Sequence, residues 1–511
     1  MIECFFETGA FPIMTDHFGF SALHYAVLVA YIGTMITIGL LSARRQKSTN
    51  DFFLAGRSMP WVAVAMSIFA SITSAITFMG IPGLVYKENI SFFVGILMMP
   101  VVAPFIIYLF LPFYRRLNVT TSYEYIYRRF GPHARYCVSG LFICARLGWL
   151  GTVVYAPALA ISAVTTIPLW LAIIMMGAIS TAYTVLGGLT AVIWTDVVQF
   201  LVLTGGALTV AISLAVNVPG GTIEILRIAG EGGRLNLLEW MPRLTQMTVG
   251  AVALSYFFNF MHDYGVDQVA VQRLLATKDF RGMVRATVLN SIFTVLIVGM
   301  LAFIGLGLYA YHITWPDRLA AEMRSDGVFP YYIVHALPHT LSGVVIAALF
   351  SAAMSGIDSG INSIATVMIN DFVQPLRRQP GSEASDMRLA RALTVLFGLF
   401  ATGVAFFASQ IGPILKASQT FLGLFSGPVL ALFLLGILTR RATFYGWLAG
   451  VSVAIPTTIW TQYNTGVHFI YYFPLSFALS AAVGYGASCL TQAPPVDENL
   501  LLRGSGGGPP G

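Results

Sequence analysis

SIFASITSAITFMGIPGLVY, residues 67–86, is apolar overall, yet Ser71, Thr73, Ser74 and Thr77 crowd its middle and Gly80, Pro82 and Gly83 follow. About 20 mostly apolar residues cross the hydrocarbon core of a bilayer, so the stretch is long enough to span one. Two readings of its polar middle fit. Small residues let neighbouring helices pack closely. Small hydroxyl residues also let backbone carbonyls turn out of the helical ladder toward a cation, which membrane depth tolerates only inside protein or a cavity. The second reading predicts a broken helix, the element that carrier folds place at their binding sites.

The whole chain shares this character. Of 511 residues, 57% are hydrophobic and only 10% are charged, with a mean hydropathy of +0.78. Soluble domains carry about 25% charged residues, so this is an integral membrane protein whose first partner is the lipid bilayer. The formal charge of +6 does not call for nucleic acid, because Lys and Arg collect in particular loops. No obligatory protein partner is expected. Cys4, Cys137, Cys144 and Cys489 lack metal-type spacing, and no disulfide framework is expected. The first residues, MIECFFETGAFPIMTDHFGF, hold no Lys or Arg before the first apolar span, which is not the pattern of a signal peptide; Met14 offers an alternative start.

Thirteen candidate spans follow along the chain, at about 22–43, 61–86, 91–114, 134–163, 167–186, 190–217, 245–264, 285–311, 339–369, 388–409, 412–438, 443–462 and 468–490. The first is numbered zero, so the others are one to twelve. One set of loops carries Arg44, Arg45, Lys47 and Arg57, then Arg115, Arg116, Arg128 and Arg129. The same set continues with Arg273, Lys278, Arg281 and Arg285, then Arg377, Arg378, Arg388 and Arg391, and last Arg440 and Arg441. Opposite loops such as YKENIS, 86–91, are poorer in charge. Positive loops stay in the cytoplasm. The N-terminus is therefore expected outside and the C-terminus inside, in a multi-pass protein of the plasma membrane (a bacterial inner membrane or its equivalent). Residues 1–490 read as one transporter domain and 491–511 as a flexible cytoplasmic tail ending in GSGGGPPG. Two longer outside loops, 218–244 and 312–338, are expected to hold short surface helices, for example DRLAAEMRS at 317–325.

Five spans after span one comes SYFFNFMHDYGVDQVAVQR, residues 255–273, with Asn259, His262, Asp263, Gly265 and Asp267 at or just past a membrane segment. Two polar interruptions five spans apart suggest inverted halves at about 61–217 and 245–438, with the site between them.

Two carboxylates fall within or at the ends of spans, Asp196 in GGLTAVIWTDVVQF (187–200) and Asp358 in SAAMSGIDSGINS (351–363). An ionisable group at membrane depth is costly and marks function by default. Ser355, Asp358, Ser359 and Asn362 fall on one helical face. Their hydroxyl, carboxylate and amide oxygens are the ligands that hard cations take. With no Arg in the centre of spans one, five or eight, a cation is the expected partner of Asp358, against pairing with a nearby Arg.

Six stretches in order give a resemblance: DFFLAGRSMP (51–60), the serine-rich span one, LNVTTSYEYIYRRF (117–130), GGLTAVIWTDVVQ (187–199), DQVAVQRLLATKD (267–279) and MSGIDSGINS (354–363). The chain resembles the sodium:solute symporter family over nearly its whole length. YAPALA at 155–160 is similar to the branch of monocarboxylate, vitamin and iodide carriers, and the N-terminal half is similar to bacterial sialic-acid carriers. The resemblance implies an all-α LeuT-type fold with inverted repeats of helices one to five and six to ten, and alternating access coupled to sodium. It places a principal sodium at the carbonyls of Ala70 and Thr73 and at Ala352, Ser355 and Gly356. Gly356 departs from the Ser or Thr usual there. A second sodium site maps onto Asp196, Ser355, Asp358 and Ser359, with Asp358 where sialic-acid carriers have Ser. Asp358 is expected to compensate for the hydroxyl missing at Gly356.

The resemblance places the solute among spans one, two, three, six and ten. Ile72, Ile96 and Trp149 stand where sialic-acid carriers place Thr, Gln and Arg, while Ser74 and Thr77 are kept. Arg146, nearly one turn before Trp149, is a candidate for a substrate carboxylate. Asp263 stands where sugar-carrying members have an inner-gate tyrosine, and Gln419 and Thr420 of span ten complete the candidates. The apolar surround suits a small solute with one polar end, such as a monocarboxylate. A sugar, polyol, amino acid or sialic acid is the alternative cargo, and a proton-coupled carrier or a transporter-like sensor the remote one. No HExxH, GxSxG or P-loop points to an enzyme. About 20 residues after span twelve leave no appended signalling domain, and no filter motif points to a channel.

Overall fold

A computed structural model describes residues 22–44, 46, 48–164, 167–241, 243–316, 325–377, 382–408, 414–492 and 495–502. Its described residues are helical or irregular, apart from one isolated bridge between Met59 and Thr277. The chain runs through α1 (Ala22–Ala43), α2 (Thr49–Leu54), α3 (Trp61–Ile72) and α4 (Ala75–Lys87). Then α5 (Phe93–Ile96), α6 (Met98–Phe105) and α7 (Leu111–Leu117) form one run through a π-helical turn at Ile106–Phe110. α8 (Tyr123–Phe130), α9 (Pro132–Val164), α10 (Leu169–Asn217) and α11 (Gly221–Glu231) complete the first half. The second half holds α12 (Val249–Gly265), α13 (Gln268–Leu275), α14 (Phe280–Thr314), α15 (Ser325–His335), α16 (His339–Val367), α17 (Gln374–Leu376), α18 (Glu383–Ala408) and α19 (Ile414–Leu438). α20 (Phe444–Asn464) and α21 (Tyr472–Cys489) close the chain.

Among the described residues, eight helices are long and apolar enough to cross a membrane, or nine when α3 and α4 count as one bent span. Each of the thirteen expected stretches lies on a helix or helical run. Large apolar side chains such as Val29, Ile212, Val216 and Leu399 stay more than half exposed, as lipid-facing residues do and water-facing ones rarely do. The stretch 317–324 lies outside the described residues, so the helix expected at 317–325 is described only from Ser325, where α15 begins.

Spans four and five, expected as two helices, are two helices that meet with no loop between them in the 49-residue run of α10, where the backbone leaves the helical region at Gly188 (φ 53°, ψ −159°). Straight, such a run would reach about 74 Å, more than twice the ~30 Å hydrocarbon core. Gly188 supplies the turn: its φ is in the region that glycine favours, and a Cβ there would lie 2.8 Å from Phe52 O.

Packing between halves relies on small residues. A Cβ on Gly177 of α10 would fall 1.9 Å from Thr402 Oγ1 of α18, and one on Gly398 of α18 would fall 2.1 Å from Thr181 Oγ1 of α10. The two Gly-xxx-Thr pairs interlock, so the backbones approach as small-xxx-small surfaces do. Residues 495–502, expected within a flexible tail, instead fold back on the bundle. Leu500 and Leu501 are buried, Tyr125 Oη donates to Leu500 O at 3.0 Å, and Arg440 pairs with Glu498 at 2.7 Å.

Candidate functional site

Span one is broken where its hydroxyls crowd. α3 ends at Thr73 (φ −81°, ψ 90°), and α4 starts after Ser74 (φ −80°, ψ 170°), whose side chain makes no cap bond. The two halves meet at 64°. Ala70 and Thr73 flank the break, and α3 packs against α16, which carries Ala352, Ser355 and Gly356; all five are buried. Span six breaks in its turn at Val266 and Asp267, between α12 and α13. Every residue of α13 is buried. It packs against α3, α2 and α16, with Met59 N donating to Ala276 O at 3.0 Å.

Asp196, fully buried on α10, is the hub of the polar cluster. Its Oδ2 accepts from Ser67 Oγ at 2.5 Å and Ser71 Oγ at 3.1 Å, and its Oδ1 from Ser355 Oγ at 2.5 Å. Ser71 Oγ also lies 2.9 Å from Ser359 Oγ, which ties α3 to α16. The remaining partner of Asp196 is an arginine from outside spans one, five and eight. Arg273 of α13, counted among cytoplasmic loop charges, is wholly buried and its Nη2 lies 3.1 Å from Asp196 Oδ2. Its Nε donates to Ser67 Oγ at 2.7 Å, its Nη1 to Val269 O at 2.9 Å, and its Nη2 also to Ser359 Oγ. The reason is the break at Val266: the chain re-enters as α13 instead of leaving for the loop.

Asp358 stands beside this cluster. Ser359 Oγ donates to its Oδ1 at 3.1 Å and Tyr183 Oη to its Oδ2 at 2.9 Å. Among the described residues, the ion pair of Arg273 is with Asp196 and not with Asp358. Gly356 faces α9: a Cβ there would meet Val153 Cγ1 at 3.1 Å and Trp149 at 3.4 Å. Asn362 is buried on the same helix, its amide nitrogen unpartnered.

The solute candidates spread over α3, α4, α5, α9 and α12; α4, α9 and α12 pack against α19, α3, α4 and α9 against α16, and α5 against α12. Ser74, Ile96 and Trp149 are buried, and Ile72, Thr77 and Asp263 half-buried. Arg146 is not a free cation. Its Nη2 pairs with Asp267 Oδ2 at 2.6 Å, both side chains buried, and its guanidinium lies 4.7 Å from the Trp149 ring centre. Asp263 Oδ1 meets His262 Nδ1 at 3.0 Å. The side chains of Gln419 and Thr420 lie outside the described residues.

The sequence reading missed Arg273, Ser67 and Tyr183 as site residues. For Ser67 a signal existed, since Ser67, Ser71 and Ser74 stand at i, i+4 and i+7. For Arg273 the signal was its setting in VAVQRLLA, an apolar run too long for a solvated loop.

The chain is similar to known membrane carriers. A sequence model of the sodium:solute symporter family matches residues 52–454. The chain is 32% identical to the sodium/sialic acid symporter of Aliivibrio fischeri, over 94% of this chain and 95% of that one. It is 34% identical to the human sodium-coupled monocarboxylate transporter 1, over 87% of this chain and 74% of that one. A solved substrate-bound, outward-open Na+-coupled sialic acid symporter superposes with a TM-score of 0.87 at 29% identity, covering 93% of this chain and 99% of its own.

Proposed function

The chain belongs to the sodium:solute symporter family, and from that premise we propose that its cargo is a small organic acid, held by its carboxylate at the break in span one. The protein is a multi-pass membrane transporter with the LeuT-type fold, a sodium-coupled symporter of a small solute and not an enzyme. The observation that carries the cargo reading is the extended pair Thr73–Ser74. It leaves the buried N-terminus of the 13-residue α4 without a side-chain cap, Ser74 making no cap bond. First-turn N–H groups of a helix have no intrahelical acceptor, and the positive end of a half-helix favours an anionic group. Ile72, Ile96 and Trp149 offer a short alkyl end apolar contact and a polyhydroxylated one little to bond. Arg146, engaged by Asp267, is not the carboxylate's partner.

Sodium in this reading sits first at Ala70, Thr73, Ala352, Ser355 and Gly356. A second ion belongs to the set of Asp196, Ser355, Asp358 and Ser359. With both carboxylates ionised, Asp196, Asp358 and Arg273 sum to one negative charge, which one monovalent cation offsets. Spans one and eight touch both ion and solute, so sodium favours the solute-accepting state and the solute favours sodium in return. The buried α13 seals the arginine-rich side, taken as cytoplasmic. Thirteen spans, an outside N-terminus, an inside C-terminus and a plasma-membrane location complete the reading.

Sialic acid is the second reading, favoured by the identity to sialic acid symporters. It shares the carboxylate and differs in its hydroxyls. Thermal stabilisation of the purified protein in sodium decides between them, screened against lactate, pyruvate and sialic acid. A sodium-dependent shift with the first two supports the small-acid reading; a shift with sialic acid alone overturns it.

A further inference from the structure

We propose that the cavity between the end of α19, the side of α21 and the docked residues near the C-terminus binds an anionic phospholipid, its phosphate held by Arg440 and Arg441. None of its residues belongs to the ion or solute sets, and the inference does not depend on the cargo.

α19 ends at Leu438, and the chain turns through residues 439–442 before α20. This turn, α21 and the folded-back residues 501–502 enclose about 490 Å³, lined by Ile437, Leu438, Arg440, Arg441, Tyr485 and Leu501. The folded-back wall is tied down at three points. Tyr125 Oη donates to Leu500 O at 3.0 Å, Arg116 Nη2 donates to Asn499 O, and Arg440 Nη2 meets Glu498 Oε1 at 2.7 Å.

A bare helix C-terminus repels an anion, because its last carbonyls lack intrahelical donors and form the negative end of the helix dipole. Arg129 covers that end of α19. It is 6% exposed, and its Nε donates to Gly436 O at 3.3 Å and its Nη2 to Thr439 O at 3.1 Å. Arg441 is exposed and, among the described residues, has no acid partner. Arg116, Arg129, Arg440 and Arg441 thus outnumber Asp497 and Glu498 by two charges around the cavity.

The rest of the lining is apolar and reaches the outer surface of the bundle. Leu438 is 55% exposed and Tyr485 40%, the latter near the end of the membrane-crossing helix α21. A soluble anion gains nothing from such a wall. A phospholipid lays its acyl chain there and its phosphodiester against the arginines. Basic pockets between spans on the cytoplasmic side hold acidic headgroups, and Arg440 and Arg441 belong to the arginine-rich loops read as cytoplasmic.

Thermal melts of the purified full-length protein in detergent test this, titrated with dioctanoyl phosphatidylglycerol, dioctanoyl phosphatidylcholine or inorganic phosphate. Phosphatidylglycerol is expected to raise the melting temperature saturably, and the other two to give no saturable shift. Arg441→Gln breaks no ion pair and is expected to need about fivefold more phosphatidylglycerol for half the shift, the scale of one basic residue at an anionic surface. Arg281→Gln removes an exposed arginine at the start of α14, outside the cavity, and should titrate as wild type. An equal shift from phosphatidylcholine removes headgroup recognition, and an equal shift from inorganic phosphate makes this a site for a free anion; either overturns the proposal. Arg441→Gln titrating as wild type, or both variants weakening alike, puts the attraction in diffuse surface charge and also overturns it. Where phosphatidylglycerol leaves the melt unmoved, native mass spectrometry of the same mixtures decides. One bound phosphatidylglycerol per protein, lost in Arg441→Gln, supports the site, and none bound overturns it.

Discussion

Arg273 Nη2 lies 3.1 Å from Asp196 Oδ2, with neither side chain exposed, and this pair fastens the second half of span six, α13, to span five. Removing one member leaves a buried charge uncompensated, which costs about 3–5 kcal/mol. Arg273→Gln and Asp196→Asn are each expected to lower unfolding stability on that scale. The double variant should lose less than the sum, by about 0.5–3 kcal/mol. Denaturation of the four proteins in detergent gives the cycle; strict additivity would dissolve the pair.

Arg146 and Asp267 lie 2.6 Å apart and both are buried. If the pair is structural, Arg146→Met and Asp267→Asn each destabilise the protein by about 3–5 kcal/mol, and together by less than the sum. Uptake kinetics separate this from a role in solute recognition. A rise in KM for an organic acid in Arg146→Met, with stability intact, would return the guanidinium to the substrate.

Much of this was legible in the sequence, and the reasons differ by element. The break at Thr73 and Ser74 was legible because hydroxyl residues crowd a short stretch, a local signal. Span six was legible for the same reason, through His262, Asp263, Gly265 and Asp267. The position of Arg273 was not, because counting charges by loop assigns each arginine to its nearest loop. Its partner comes from α10, and only the fold brings the two together. Arg146 misled in the same way, since the carboxylate it meets belongs to the break in span six rather than to a solute. The docking of Leu500 and Leu501 was hidden by the Gly- and Pro-rich residues that follow them.

The contact between α10 and α18 predicts which glycines matter. Gly177→Ala places a Cβ 1.9 Å from Thr402 Oγ1, and overpacking of this kind costs about 1–3 kcal/mol. Thr402→Ala in the same chain should recover most of it. Gly205 of α10 has nothing within 4 Å of its ideal Cβ, so Gly205→Ala should be neutral or stabilise by up to about 1 kcal/mol. Thermal melts of these three variants beside wild type check the ordering.

Gly356 sets a different test. A Cβ there meets Val153 Cγ1 at 3.1 Å and Trp149 at 3.4 Å, so the glycine lets α9 approach α16. Gly356→Ala is expected to cost about 1 kcal/mol or more through crowding, and Val153→Ala to relieve it. Sodium activation of uptake should be unchanged in the relieved pair, because Ser355 and Asp358 are untouched. A large loss of sodium activation there would mean that the first ion needs the open space beside Gly356 as well as its backbone.

Uptake of a labelled short-chain monocarboxylate into proteoliposomes, under an imposed sodium gradient, reaches the central claim most directly. Wild type is expected to accumulate the acid against its gradient only when sodium is the external cation, and Ser355→Ala to need several-fold more sodium for half-activation. Equal uptake with potassium in place of sodium, or unchanged sodium activation in Ser355→Ala, would contradict the account.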